Sequence, residues 1–195
     1  MEKERTNKIL AIVAICVAVA GLTVGFAAFS STLTINGTGT VKASNWQVRF
    51  ENLSAVTKTG TASEVTAPTI NTNDTNIGDY DVTFTTPGDS ISYTFDVANN
   101  GTFDAEVTTV TIPTPTCTGT GANAETDATN VCNNLTYTLT YADGTAINVA
   151  DALTASQKKT LKLTLTYGTS ITADKLPSDD VAISNLGITV LYSQK

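Results

Sequence analysis

The residues in this 195-residue sequence that could do chemistry are carboxylates and thiols, because it contains no histidine at all. Two acidic clusters offer oxygen ligands in loop-like surroundings: Asp74, Asp79 and Asp81 in "NDTNIGDYD", and Asp174, Asp179 and Asp180 in "DKLPSDD". They are weak calcium candidates. Neither has the twelve-residue ligand spacing of an EF-hand, and solubilising charge accounts for both. Asp96, Asp104 and Glu106 could in principle supply the carboxylate pair of a glycosidase. Their alternation with apolar neighbours instead puts them on the wet face of strands. A zinc peptidase needs a motif such as H-E-x-x-H, and a serine hydrolase needs a base and a G-x-S-x-G elbow. Neither is present. The sequence therefore predicts a protein that is not an enzyme, with no catalytic residue, no resident metal and no cofactor.

The thiols point elsewhere. Cys117 and Cys132 enclose the polar stretch "TGTGANAETDATNV", and an even pair in an exported chain predicts a disulfide. A tetrahedral metal site would need four ligands, which a chain without histidine does not offer here. Closing a loop of this size is worth about 3 kcal/mol in the chain-entropy model. Cys16 is separate, inside an apolar run.

That run, Ile9 to Phe29, is broken only by Thr23 and two glycines and follows a short charged stretch. It reads as a signal peptide or a membrane anchor over 1–28. Its length reaches that of a bilayer span, while Gly25, Ala27 and Ala28 provide the small side chains that a signal peptidase needs for cleavage after Ala27 or Ala28. Without residues 1–28 the chain keeps eight basic and sixteen acidic residues, a net charge of -8. Such an acidic chain argues against a nucleic-acid partner and against anionic lipid headgroups, leaving contact with membrane only through the N-terminal segment before cleavage. The expected location is extracellular, in a matrix or on the cell surface.

The elements that follow are strands. The 38 threonines and the scarcity of charge make a composition of β-formers. Period-two alternation sets Ile91, Tyr93, Phe95 and Val97 on one face of "SISYTFDVAN". It does the same for Leu135, Tyr137, Leu139 and Tyr141, and for Leu161, Leu163, Leu165 and Tyr167. Trp46, Val48 and Phe50 form a shorter set, and Leu186, Ile188, Val190 and Tyr192 end the chain. In "TFDAEVTTVTIP" the apolar phase slips after Val107, which predicts a bulge near Thr108. "TPGD", "NNG" and "ADG" are turns. The sequence offers one helix, in "NVADALTASQKKT", as a short helix or else a turn across one end, and a long excursion over 54–79 with an edge strand around "SEVTAP". Seven to nine short strands predict an all-β fold, an antiparallel β-sandwich of jelly-roll or immunoglobulin-like type over 44–195, preceded by the hydrophobic helix.

Between helix and sandwich, residues 29–43 hold a strand of their own. In "STLTINGTGTV" the apolar residues Leu33, Ile35 and Val41 share a face. Such a strand can pair within its own domain. Alternatively it can add to a neighbour's sheet edge, with "NGTGT" as the link, and head-to-tail addition then yields a filament of identical subunits.

The export segment ending in "FAAFSS", the strand after it, and "PGDSISYTFDVANNGTFDAEV" resemble the TasA and camelysin family of exported biofilm proteins of Gram-positive bacteria. Pro87, Gly88, Asp89, Asn99, Asn100 and Gly101 carry the match. The resemblance implies a jelly-roll subunit that polymerises with copies of itself by donor-strand exchange after a dedicated signal peptidase removes the leader. The metalloprotease activity described for camelysin does not carry over to a chain without histidine. The cysteine pair and shorter length also depart from TasA. The expected function is thus a structural subunit of an extracellular fibre, its polymerisation strand anchored by Leu33, Ile35 and Val41. The alternative is a monomeric, membrane-anchored surface adhesin or ligand-binding sandwich.

Overall fold

The computed structural model describes residues 2–28, 38–78 and 80–195, with the backbone alone for residues 2 and 20–28. Contacts divide the chain into two units, Met1–Lys42 and Ala43–Lys195. The first contains helix α1, Glu2–Ala28. Among the described residues no helix is long and apolar enough to cross a membrane.

The second unit is an antiparallel β-sandwich. In chain order its strands are β1 (Val48–Glu51), β2 (Thr57–Thr59), β3 (Ser63–Thr66), β4 (Asp81–Thr83), β5 (Ser90–Asn99) and β6 (Ala105–Thr111). They continue as β7 (Thr116–Gly119), β8 (Leu135–Tyr141), β9 (Ala152–Leu153), β10 (Lys158–Tyr167), β11 (Val181–Ser184) and β12 (Thr189–Gln194). One sheet runs β1-β5-β10-β8, with β2 also paired to β5; the second runs β12-β6-β9. β3 with β4 and β7 with β11 make two small ribbons.

The core follows from alternation. Ile91, Tyr93, Phe95 and Val97 of β5 face inward beside Leu161, Leu163 and Leu165 of β10 and Tyr137 and Leu139 of β8. From the second sheet come Ala105 and the fully buried Leu153, with Val190 and Tyr192 packed against them. Each large side chain buried here is worth about 1.5–3 kcal/mol relative to exposure. The predicted bulge is present. Leu191 pairs with Thr109 and Tyr192 with Val107, so Thr108 is the extra residue, and its hydroxyl donates to the Leu191 carbonyl at 3.1 Å.

Two polar residues pin the ends of β5. At its start Asp89 is fully buried. Its carboxylate accepts backbone N–H bonds from Thr61, Thr85 and Thr86, at 2.6, 2.7 and 2.9 Å, and hydroxyl bonds from Thr61 and Thr86. Gly60 is obligatory beside it, since a Cβ there would lie 2.2 Å from Asp89 Oδ1 and φ is +72°. At the other end Asn99, also fully buried, donates to the carbonyls of Phe103 and Leu153 at 2.8 and 2.9 Å and accepts from the Gly101 N–H. A side chain at Gly101 would strike the backbone of Asn45 and Gln47 at 2.8 Å.

The structure settles one alternative, adds a helix and corrects one expectation. The segment 148–160 is not a helix: Leu153 is drawn into β9 opposite Ala105, Ala150 and Ser156 take left-handed φ values of 70° and 65°, and Lys158 already belongs to β10. The domain's helix lies instead inside the cysteine loop, as α2 (Ala124–Cys132), with Glu125 and Asp127 in its first turn, where carboxylates favour the helix dipole. Asp96 is not a solvated outer-face acid. It is 6 % exposed, bonded to Asn52, Thr160 and Lys158.

The Cys117–Cys132 disulfide, Cα–Cα 5.8 Å, ties β7 to the end of α2 over a small satellite core of Val131, Tyr167 and Ile171. Reduction, or a Cys117→Ser and Cys132→Ser double variant, is expected to lower unfolding free energy by about 3 kcal/mol. Urea denaturation with and without reductant measures it.

Candidate functional site: a cleft between two sheet edges

The sandwich closes less completely on one side. β1 and β12 each end the strand order of their sheet, and a cleft of about 190 Å³ opens where they meet. Its apolar wall comes from both sheets, Val48, Phe50 and Val97 from one and Val190 and Tyr192 from the other, with Trp46 at the mouth, 45 % exposed. The period-two pattern of "NWQVRF" makes this wall by setting alternate residues inward, and Phe50 meets Phe95 edge-on at 5.3 Å between ring centres.

The rim is polar. Arg49 Nη2 pairs with Glu51 at 2.7 Å and Nη1 with Asp74 at 3.7 Å, while the Phe50 N–H donates to the Asp74 carbonyl at 2.6 Å. The Asn100 amide, at 2.8 Å, and then the Arg49 guanidinium hold the Glu51 carboxyl below the ordinary carboxylate range. Asp74 adopts a left-handed φ of 56°, which turns its backbone toward β1.

Inside, the Tyr192 hydroxyl is buried with no hydrogen-bond partner. Burial, followed by the Asp151 carboxylate, pushes its pKa up to about 12. An unpaired buried hydroxyl costs about 1–3 kcal/mol. Tyr192→Phe is therefore expected to leave the melting temperature of the isolated subunit unchanged or to raise it by a few degrees. Thermal unfolding monitored by circular dichroism measures the shift.

Of the polymerisation residues, Leu33 and Ile35 lie outside the described residues, whereas Val41 is 98 % exposed. Asp79 of the first acidic cluster also lies outside them. Asp74 is engaged with Arg49, and Asp81 sits exposed on β4 opposite Thr66. Among the described residues, no three His, Cys, Asp or Glu side chains are grouped so as to hold a metal ion.

Sequence reasoning missed the roles of Asp89 and Asn99, which it read as turn residues only. The available signal was their phase: Asp89 just before β5 and Asn99 at its last position continue the alternate set Ile91, Tyr93, Phe95 and Val97, so each side chain is drawn into the core with its strand. It also missed the cleft, because strand order is not written in local periodicity.

No protein-family model matches the chain, and no curated protein and no solved structure matches it.

Proposed function

We propose that the chain is an exported structural subunit that assembles with copies of itself into an extracellular fibre, each subunit donating the strand around residues 31–41 to the β1–β12 cleft of the next. In this reading the sandwich is a jelly roll of the TasA and camelysin type. A signal peptidase frees the strand by cutting after Ala27 or Ala28, and the protein performs no catalysis. The carrying observation is the cleft: a slot with an apolar wall and a polar rim, bounded by two strands that both end their sheets. A strand laid along β12 would gain main-chain hydrogen bonds from an edge that now has a neighbour on one side only, and its apolar face would cover Val48, Phe50, Val190 and Tyr192. Leu33, Ile35 and Val41 have the spacing and chemistry for that face. The handover is head to tail and does not close on itself, so it propagates.

The exposed Trp46 ring at the mouth supports a second reading, a monomeric surface adhesin or binding module that uses the same cleft for a ligand. Electron microscopy of the secreted protein separates the two. Filaments that disappear on deletion of residues 29–41, from a domain that still unfolds cooperatively, are the expected result. Monodisperse particles from the intact protein would favour the binding module.

A further inference from the structure

The chain enters the sandwich at a pinned point. Ahead of β1 the Asn45 N–H donates to the Thr102 hydroxyl at 3.1 Å, and the Thr102 N–H donates back to the Asn45 carbonyl at 3.0 Å. Two residues on, the Gln47 carbonyl accepts the Asn100 N–H at 2.8 Å, and the β1–β5 ladder takes over with Val48 opposite Asn99. The turn that makes these contacts is held from two sides. Asn99 ties it to the core through the carbonyls of Phe103 and Leu153, and the Asn100 amide donates to Glu51 of β1 at 2.8 Å. Gly101, buried within it, lets the incoming backbone pass where a Cβ would lie 2.8 Å from both the Asn45 carbonyl oxygen and the Gln47 nitrogen. Residues 38–44, by contrast, are exposed.

The two pinned residues flank Trp46, which lines the mouth of the β1–β12 cleft. The chain N-terminal to Asn45 therefore sets out from the mouth of the cleft that receives a strand. We propose that the turn over residues 99–102 is the anchor that fixes where a subunit's donated arm leaves its domain, and so sets the angle between successive subunits. This rests on the strand-donation reading. In a head-to-tail assembly the rotation from one subunit to the next is set by the joint between them. A joint made only of flexible linker leaves that rotation free. Here the exposed linker, residues 38–44, reaches at most about 25 Å when extended. Its inner end is immobilised beside Trp46, and its outer end is fixed in turn by the neighbour's cleft. An incoming strand that fills the cleft then meets the departing arm at the same indole, which couples one joint of the fibre to the next.

Trp46 is the only tryptophan of the chain, so its fluorescence reports on the anchor directly. Gly101→Ala drives a methyl group against the pinned backbone, while Thr102→Val removes the hydroxyl that accepts the Asn45 N–H and is the milder variant. Gly187→Ala, where a Cβ meets nothing within 4 Å, is the control. Thermal unfolding establishes which variants are folded. In full-length chains that also carry Leu33→Asp and Ile35→Asp, to keep subunits apart, both anchor variants are expected to lower the fluorescence anisotropy of Trp46, and the control is not. In chains with the natural Leu33 and Ile35, the anchor variants are expected to form filaments whose diffraction layer lines are lost, while wild type and control keep theirs. Unchanged anisotropy in the folded anchor variants, or wild-type layer lines from a variant with a loosened Trp46, would overturn the inference. Absence of filaments from the wild type is a different result: it would overturn the donation reading first, and this inference with it.

Discussion

Replacing Asp89 by alanine is expected to cost the domain about 3–5 kcal/mol of unfolding free energy, a large share of the roughly 5–15 kcal/mol that holds a domain folded. The carboxylate is fully buried, and three backbone N–H groups and two threonine hydroxyls point at it. Hydrogen bonds to a charged group contribute about 1.5–3 kcal/mol each, and donors left buried without an acceptor incur a desolvation penalty as well. The variant also loosens the anchorage of the Gly60–Thr61 and Thr85–Thr86 segments, on which the start of β5 depends. Urea denaturation at neutral pH measures the loss. A change below about 1 kcal/mol would show that the carboxylate is dispensable to the fold.

The same carboxylate sets an acid limit. Burial by itself raises its pKa, but the N–H bonds from Thr86, Thr61 and Thr85 and the Thr61 hydroxyl outweigh burial and hold it well below the ordinary 3.8. A group with a depressed folded value contributes its full stability above the unfolded value and loses it as pH falls toward the folded one. Stability should therefore decline below about pH 4. Asp96 and Asp151, also held low by their partners, contribute with the same sign. The difference between wild type and Asp89→Asn isolates Asp89, because the amide variant cannot lose a charge there. Its stability should change less between pH 6 and pH 3 than that of the wild type.

The second large effect concerns assembly. A Leu33→Asp and Ile35→Asp double variant is expected to abolish filaments while leaving the domain's unfolding transition in place. If these side chains enter the β1–β12 cleft of another subunit, each aspartate must shed its water against the apolar wall, where the rim cation, Arg49, is already paired with Glu51 and Asp74, and this costs several kcal/mol per group. Two such penalties lower affinity by more than about 10⁴-fold. The core cluster of the sandwich is formed by residues of the second unit, so a variant strand that acts in trans leaves that core unchanged. Filament counts by electron microscopy and the melting temperature of the soluble subunit are the paired readouts. A drop in both together would mean that the strand belongs to its own domain.

Legibility varied with the length of the pattern. β5, β8 and β10 each carry three or four inward residues in strict alternation, and all three were readable. So was the bulge, because an apolar phase that slips by one position inside a strand requires one extra residue at the slip. The disulfide followed from parity and context. Helix α2 was not readable: it is polar almost throughout, with Val131 as its one large buried apolar side chain, and its stability derives from the disulfide and the satellite core rather than from an apolar stripe. β9 is two residues long, too short to have a period, and exists because Leu153 is pulled under β6. Asp96 reads as a wet residue by alternation, yet it is covered by three side chains from β10 and the segment after β1. The cleft depends on which strands end their sheets, a property of topology that no single segment carries.

Cross-linking between subunits tests the central claim most directly. In chains carrying both Ile35→Cys and Val190→Cys, oxidised after secretion and run on a non-reducing denaturing gel, strand donation along β12 predicts a ladder of covalent multimers that collapses to monomer on reduction and is absent from either single variant. A faster-migrating monomer, with the two cysteines joined within one chain and no ladder, would contradict it, because the strand would then be completing its own sandwich.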